Sequence, residues 1–169
     1  MCNVSLEELK ENVRCGGVVS DQFRYSMLHR DPEKDILPYA AQNNVATLTY
    51  MSLEQGLLTG KVGMARVFQP TEFRSSEAWN PWFIPVNRRR VLDLLASWKD
   101  LTDKYRCTLS QLVIAWTAAQ SGVTHVLCGT RNLAQLSDNA KAGDLALQPA
   151  DLQRIRQDVL AMGEPAASA

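Results

Sequence analysis

No apolar run in the 169 residues approaches the ~20 needed to cross a bilayer, which excludes a membrane-spanning helix. Histidine is scarce: His29 and His125 have no partner at ligand spacing, so no metal site is expected. Cysteine is sparse too. Cys2, Cys15, Cys107 and Cys128 show neither the close pairs of a zinc site nor the density of a disulfide scaffold, and reduced thiols are expected. Charge of one sign is missing, because 18 basic and 18 acidic side chains cancel; nucleic acid and anionic membranes are therefore not expected partners. There is no Gly-x-Gly-x-x-Gly turn and no Walker loop, which argues against the usual dinucleotide and nucleoside-triphosphate sites. The start, Met1-Cys2-Asn3-Val4, lacks the basic patch and apolar core of a secretory signal and reads as an entry point inside a domain. A cytoplasmic location is the expectation.

What is present is a globular balance of 46% hydrophobic and 21% charged residues. The length suits one domain but falls short of the roughly 250 residues of a complete (β/α)8 barrel, so a barrel-derived chain would be part of one. Ser5 with Glu8 predicts a capped helix that Gly16-Gly17 ends. The run Val18 to Phe23 predicts a strand with Gln22 at its tip, and Val45 to Tyr50 a second strand. Between them a helix is expected over about Glu33 to Asn43, with Pro38 near its first turn.

From Met51 to Val86 glycines and prolines break the pattern, and Trp79, Trp82 and Phe83 predict a loop folded over something apolar. Val91, Leu92, Leu94, Leu95, Trp98 and Leu101 trace one amphipathic helix, with Arg88-Arg89-Arg90 as its solvated first turn. Thr108 with Gln111 opens another helix, which Gly122 closes. Thr124 to Cys128 predicts the third strand, Asn132 caps the helix after it, and a last helix follows Pro149. Residues 1–162 thus read as one α/β unit with parallel strands, and 163–169 as a disordered tail.

In such an architecture ligands bind at the carboxyl ends of the strands, which singles out Gln22, Tyr50 and the turn Gly129-Thr130-Arg131-Asn132. That turn feeds a helix N-terminus, where free N–H groups and the dipole suit a phosphate. Arg131 either adds a forked cationic donor there or is a solvated loop arginine. Tyr50 is either a platform for an aromatic ring or a packed core residue. Gln22 either reads a carboxamide or serves as a hydrogen-bonding residue of the rim.

These residues lie inside longer strings. Gln22-Phe23-Arg24-Tyr25-Ser26-Met27-Leu28-His29-Arg30, then Tyr50-Met51-Ser52-Leu53-Glu54-Gln55-Gly56-Leu57-Leu58-Thr59-Gly60-Lys61, then Gly129-Thr130-Arg131 with Gln135-Leu136 and Asp138-Asn139, resemble the segments after the sixth, seventh and eighth strands of aldo-keto reductases. The likeness runs to bacterial reductases related to the potassium-channel β-subunit branch. It implies a partial TIM (β/α)8 barrel, about the last three parallel strands with their helices. It further implies NADPH as cofactor: Asn3 and Gln22 on the nicotinamide carboxamide, Tyr50 on its ring, Leu53 and Gly56 along the pyrophosphate, Arg131 with Thr130 at the adenosine 2′-phosphate, Gln135 and Asn139 at the adenine end, and Gly129 among the cofactor-binding residues. Residues 51–86 would be the cofactor and substrate loop, with its aromatics near the substrate mouth.

The chain departs from the resemblance at Cys2, where the family usually has serine, and at Tyr50-Met51-Ser52-Leu53, where it has Tyr-Ser-Pro-Leu. The family's catalytic aspartate, tyrosine, lysine and histidine precede the first residue here, so no catalytic residue is assigned. The implied reaction is reduction of an aldehyde or ketone by hydride from NADPH, with the isolated polypeptide expected to be inactive. Completion by an N-terminal half or by self-association is expected, since open sheet edges expose unpaired backbone. The alternatives are a non-catalytic nucleotide-sensing or partner-binding half-barrel module and an inactive gene remnant.

Overall fold

Ser5 starts the first helix through its side chain: the hydroxyl accepts the Glu8 N–H at 3.3 Å while the Glu8 carboxylate accepts the Ser5 N–H at 2.8 Å. This reciprocal cap opens α1 (Leu6–Gly16). The computed structural model describes residues 1–76 and 78–167. Three parallel strands, β1 (Ser20–Arg24), β2 (Ala46–Tyr50) and β3 (His125–Val126), are hydrogen-bonded in the order β1-β2-β3. Helices α2 (Ile36–Gln42), α3 (Pro85–Ser97), α4 (Lys99–Tyr105), α5 (Leu109–Ala118), α6 (Leu133–Ala140) and α7 (Pro149–Met162) fill the connections. Among the described residues no helix is long and apolar enough to cross a membrane.

The period of two along each strand separates two very different faces. Asp21, Phe23, Thr47 and Thr49 are buried, and Phe23 packs with Leu37 of α2. Ser20, Gln22, Arg24, Leu48 and Tyr50 point the other way and stay half-exposed. The largest apolar cluster lies among helices and loop: Trp98 and Trp116, both fully buried, pack with Leu57, Val91, Leu112, Ile155 and Val159. Their indole N–H groups are satisfied by Asp158 at 2.9 Å and by the Leu152 carbonyl at 3.2 Å, which ties α7 to the junction of α3 and α4 and to α5. Along the free edge of β1, residues 1–3 begin a further parallel pairing, with Asn3 N–H donating to the Gln22 carbonyl at 2.8 Å and Gln22 N–H to the Met1 carbonyl at 3.0 Å.

Several elements differ from their sequence expectation. The first strand starts at Ser20 and ends at Arg24, because pairing with β2 sets its register; Gln22 is mid-strand and Arg24 is the tip. The expected helix over 33–43 is a 3-10 turn (Asp31–Lys34) followed by α2, with Pro38 in the first turn as anticipated. The single amphipathic helix from Val91 to Leu101 breaks at Trp98, whose buried ring anchors the junction of α3 and α4. The third strand is shorter than Thr124 to Cys128, although Leu127 N–H still reaches the Thr49 carbonyl at 2.8 Å.

Trp82 and Phe83 enter the main core, with Phe68 edge-on to Phe83 at 5.3 Å, whereas Trp79 and Phe73 are exposed. Near the end of the described residues, Ala166 exchanges two hydrogen bonds with Asn87 of α3, at 2.8 and 2.9 Å, while Arg90 holds the Glu164 carbonyl at 3.0 Å. Residues 168 and 169 of the expected tail lie outside the described residues.

Candidate functional site

Parallel pairing brings the carboxyl ends of all three strands to one side of the sheet. Tyr50 ends β2 opposite Arg24, and Gln22 lies on the same half-exposed face one pleat away. Asn3 sits beside both: its backbone pairs with Gln22, and its side-chain oxygen accepts the Tyr50 hydroxyl at 2.8 Å. That bond holds the outer end of the Tyr50 ring beside Asn3. The structure therefore unites Asn3, Gln22 and Tyr50 in one constellation. Two side-chain amides and an oriented aromatic face can bind a flat, amide-bearing group.

After β2 the backbone turns through left-handed conformations at Met51 (φ 57°), Glu54 (φ 44°), Gln55 (φ 52°) and Gly56 (φ 95°). Ser52, which stands where the family likeness has proline, is buried and directs its hydroxyl at the Tyr25 and Thr49 carbonyls, both at 3.4 Å, closing the strand end. Leu53 is half-buried against the main core, and Gly56 is half-exposed.

At the third strand end, Gly129, Thr130 and Arg131 are exposed and lead into the amino end of α6. Asn132 accepts the Gln135 N–H at 2.9 Å, and the Gln135 side-chain oxygen accepts the Arg131 N–H at 2.9 Å. Engaging a ligand through that oxygen would release this second bond. Asn139 lies one turn beyond Gln135 on the same helical face, also half-exposed. Cys128, just before the turn, is a half-buried thiol whose pKa burial pushes up to about 11. It is a neutral thiol at physiological pH.

Two charged groupings had gone unread in the sequence. The buried Glu54 carboxylate accepts Arg24 at 2.7 Å and the Ser26 hydroxyl at 2.5 Å, contacts spanning 30 and 28 residues that no local pattern marks. Arg88, expected in solvent, is buried and donates to the Arg66 carbonyl at 2.9 Å. Burial lowers its pKa. Here a signal did exist, since Arg88, Val91 and Leu95 share one helical stripe. Arg66, Arg74 and Arg88 surround the Phe68 ring at 5.6, 4.9 and 5.5 Å, beside a cleft of about 310 Å³. The Gln69 N–H and Arg74 hold the Glu72 carboxyl there below its ordinary value.

Residues 2–159 match the sequence profile of the Aldo/keto reductase family. The chain is 32% identical over 155 residues to an NADH-specific methylglyoxal reductase of Escherichia coli, covering 92% of this chain and 46% of that protein. It is 31% identical over 147 residues to a probable voltage-gated potassium channel subunit beta of Arabidopsis thaliana, covering 83% and 44%. Among solved structures, the glycerol dehydrogenase of Gluconobacter oxydans superposes with a TM-score of 0.86 at 27% identity, over 99% of this chain and 50% of its own. The chain thus spans about half the length of these relatives, as a partial barrel of three parallel strands with their helices. With a family match across nearly its whole length and a fold that superposes on half of a full barrel, the chain belongs to the aldo/keto reductase family.

Proposed function

We propose that this chain is the nucleotide-gripping part of an NADPH-dependent reductase of aldehydes and ketones, with the proton-donating residues on strands outside it. The observation that supports this most is the joining of Asn3, Gln22 and Tyr50 at the strand ends that also lead to Arg131. The residues fit the cofactor's parts. Asn3 and Gln22 suit the carboxamide, and the hydroxyl-anchored Tyr50 ring suits the nicotinamide plane. The backbone of Leu53 to Gly56 lines the pyrophosphate path. Gly129, Thr130 and Arg131 receive the 2′-phosphate, and Gln135 and Asn139 the adenine end.

When bound, NADPH supplies the hydride. The protein's part in this half is to hold the ring face toward the substrate and to keep the phosphates fixed. The half-exposed face of Gln22, Arg24, Leu48 and Tyr50, with the outer edge of β3, is where the remaining strands of a barrel or a second copy would close the site.

The Escherichia coli relative is NADH-specific by name, so cofactor choice is the sharpest test. The exposed Arg131 guanidinium supports NADPH here, because a fixed fork of donors matches a 2′-phosphate that NADH lacks. Calorimetric titration of the chain should give NADPH binding about tenfold tighter than NADH, with Arg131→Ala equalising the two. NADH binding as tightly as NADPH to the parent chain would contradict the assignment.

A further inference from the structure

The turn after β2 holds Glu54, Gln55 and Gly56 in succession at positive φ, although two of the three carry side chains. Each such residue costs about 1–2 kcal/mol, so neighbouring contacts must hold the turn in place. Glu54 is 1% exposed and its carboxylate takes two charge-assisted hydrogen bonds, from Ser26 Oγ at 2.5 Å and Arg24 at 2.7 Å. Ser26 has no freedom to point elsewhere, because its oxygen already accepts the Leu28 and His29 N–H groups at 3.2 and 3.1 Å; its single proton goes to Glu54. Arg24 comes from the tip of β1, directly opposite Tyr50. The next residue, Gln55, donates its amide to Asn80, which is 2% exposed and ties back to the Phe73 carbonyl at 2.7 Å. One buried carboxylate therefore fixes the turn that also anchors the long loop.

A buried negative charge here presents a problem for ligand binding. Glu54 lies between Leu53 and Gly56, the backbone that would carry a doubly charged pyrophosphate, and an uncompensated carboxylate in that position repels it. We propose that Arg24 is a positioning residue for the nucleotide: it neutralises Glu54 beneath the pyrophosphate path while locking the 54–56 turn. This rests on the NADPH reading given above. It assigns to a residue on the open sheet face a part in binding that does not require contact with the cofactor.

The test compares NADPH with adenosine 2′-monophosphate, a probe of the Arg131 end that carries no pyrophosphate, by calorimetry on the whole chain. Arg24→Ala should weaken NADPH about tenfold and leave the monophosphate within about twofold. Arg24→Lys, which keeps the charge, should bind NADPH within about threefold of the parent. The pair Arg24→Ala with Glu54→Gln removes both charges and should regain most of the loss; it also leaves no buried ion unpaired, so it reads the effect even where Arg24→Ala alone does not fold. A double variant that binds NADPH about tenfold or more weakly than the parent, or equal weakening of both ligands by Arg24→Ala, would overturn the inference. Failure of the parent chain to bind either ligand would instead remove the cofactor reading on which it stands.

Discussion

At the scale of single residues, Asp21 shows what the sheet tolerates at a cost. Its carboxylate is fully buried on the helix-covered face, and neither oxygen has a hydrogen-bond partner among the described residues. Desolvation raises its pKa above the ordinary 3.8. The folded chain therefore holds the Asp21 proton more tightly than the unfolded chain does. Stability from this group is present below the ordinary carboxylate value and is lost as pH rises through the raised one. Asp21→Asn should be more stable than the parent at pH 7 by about 1–3 kcal/mol, with the gap closing at acid pH, as urea unfolding at both pH values will show. A parent chain more stable than the variant at pH 7 would count against this. Residues of this kind are not legible in sequence, because Ser20-Asp21-Gln22 reads as a polar strand end. The positions of Tyr50 and of the Arg131 turn at strand ends were legible without any long-range pairing, whereas Gln22, read as a strand tip, lies mid-strand. Arg24 and Glu54 were not legible, since their meeting depends on the register of β1 against β2.

At the scale of elements, local chemistry decided which expectations held. The capping boxes at Ser5–Glu8 and Thr108–Gln111 and the Asn132 cap are written in side chains within one turn, and all three form. The break at Trp98 leaves no Gly or Pro signature, because tertiary burial of the indole imposes it. Gly122 joins both kinds of information. It turns the chain from α5 toward β3 at φ 84°, and an added Cβ would lie 2.7 Å from the Leu37 carbonyl of α2. Its own carbonyl accepts the Thr47 hydroxyl at 2.7 Å. Gly122→Ala should cost about 1–3 kcal/mol in thermal or urea unfolding, since both the left-handed backbone and the close approach are lost. An unchanged melting midpoint would show that α2 moves aside freely.

At the scale of the whole molecule, the alternation of buried and half-exposed strand positions states the architecture more plainly than any single motif. One face of the sheet is closed by helices, the other carries Gln22, Arg24, Leu48 and Tyr50 half in solvent, and residues 1–3 already begin a fourth parallel pairing. The parallel sheet was legible from the βα alternation, and the partial barrel from the resemblance to aldo-keto reductases. The distribution of the core was not: the main apolar cluster sits among α3, α4, α5, α7 and the loop after β2, because the long loop folds inward through Trp82 and Phe83. The account stands on the ends of three neighbouring strands gripping one nicotinamide nucleotide. The most direct measurement follows NADPH fluorescence on titration with the parent chain and with Tyr50→Ala. Stacking on the tyrosine predicts a saturable change in nicotinamide emission with the parent and its loss, with binding weakened about tenfold, in the variant. Emission that stays flat with the parent chain, or changes identically with both proteins, would contradict it.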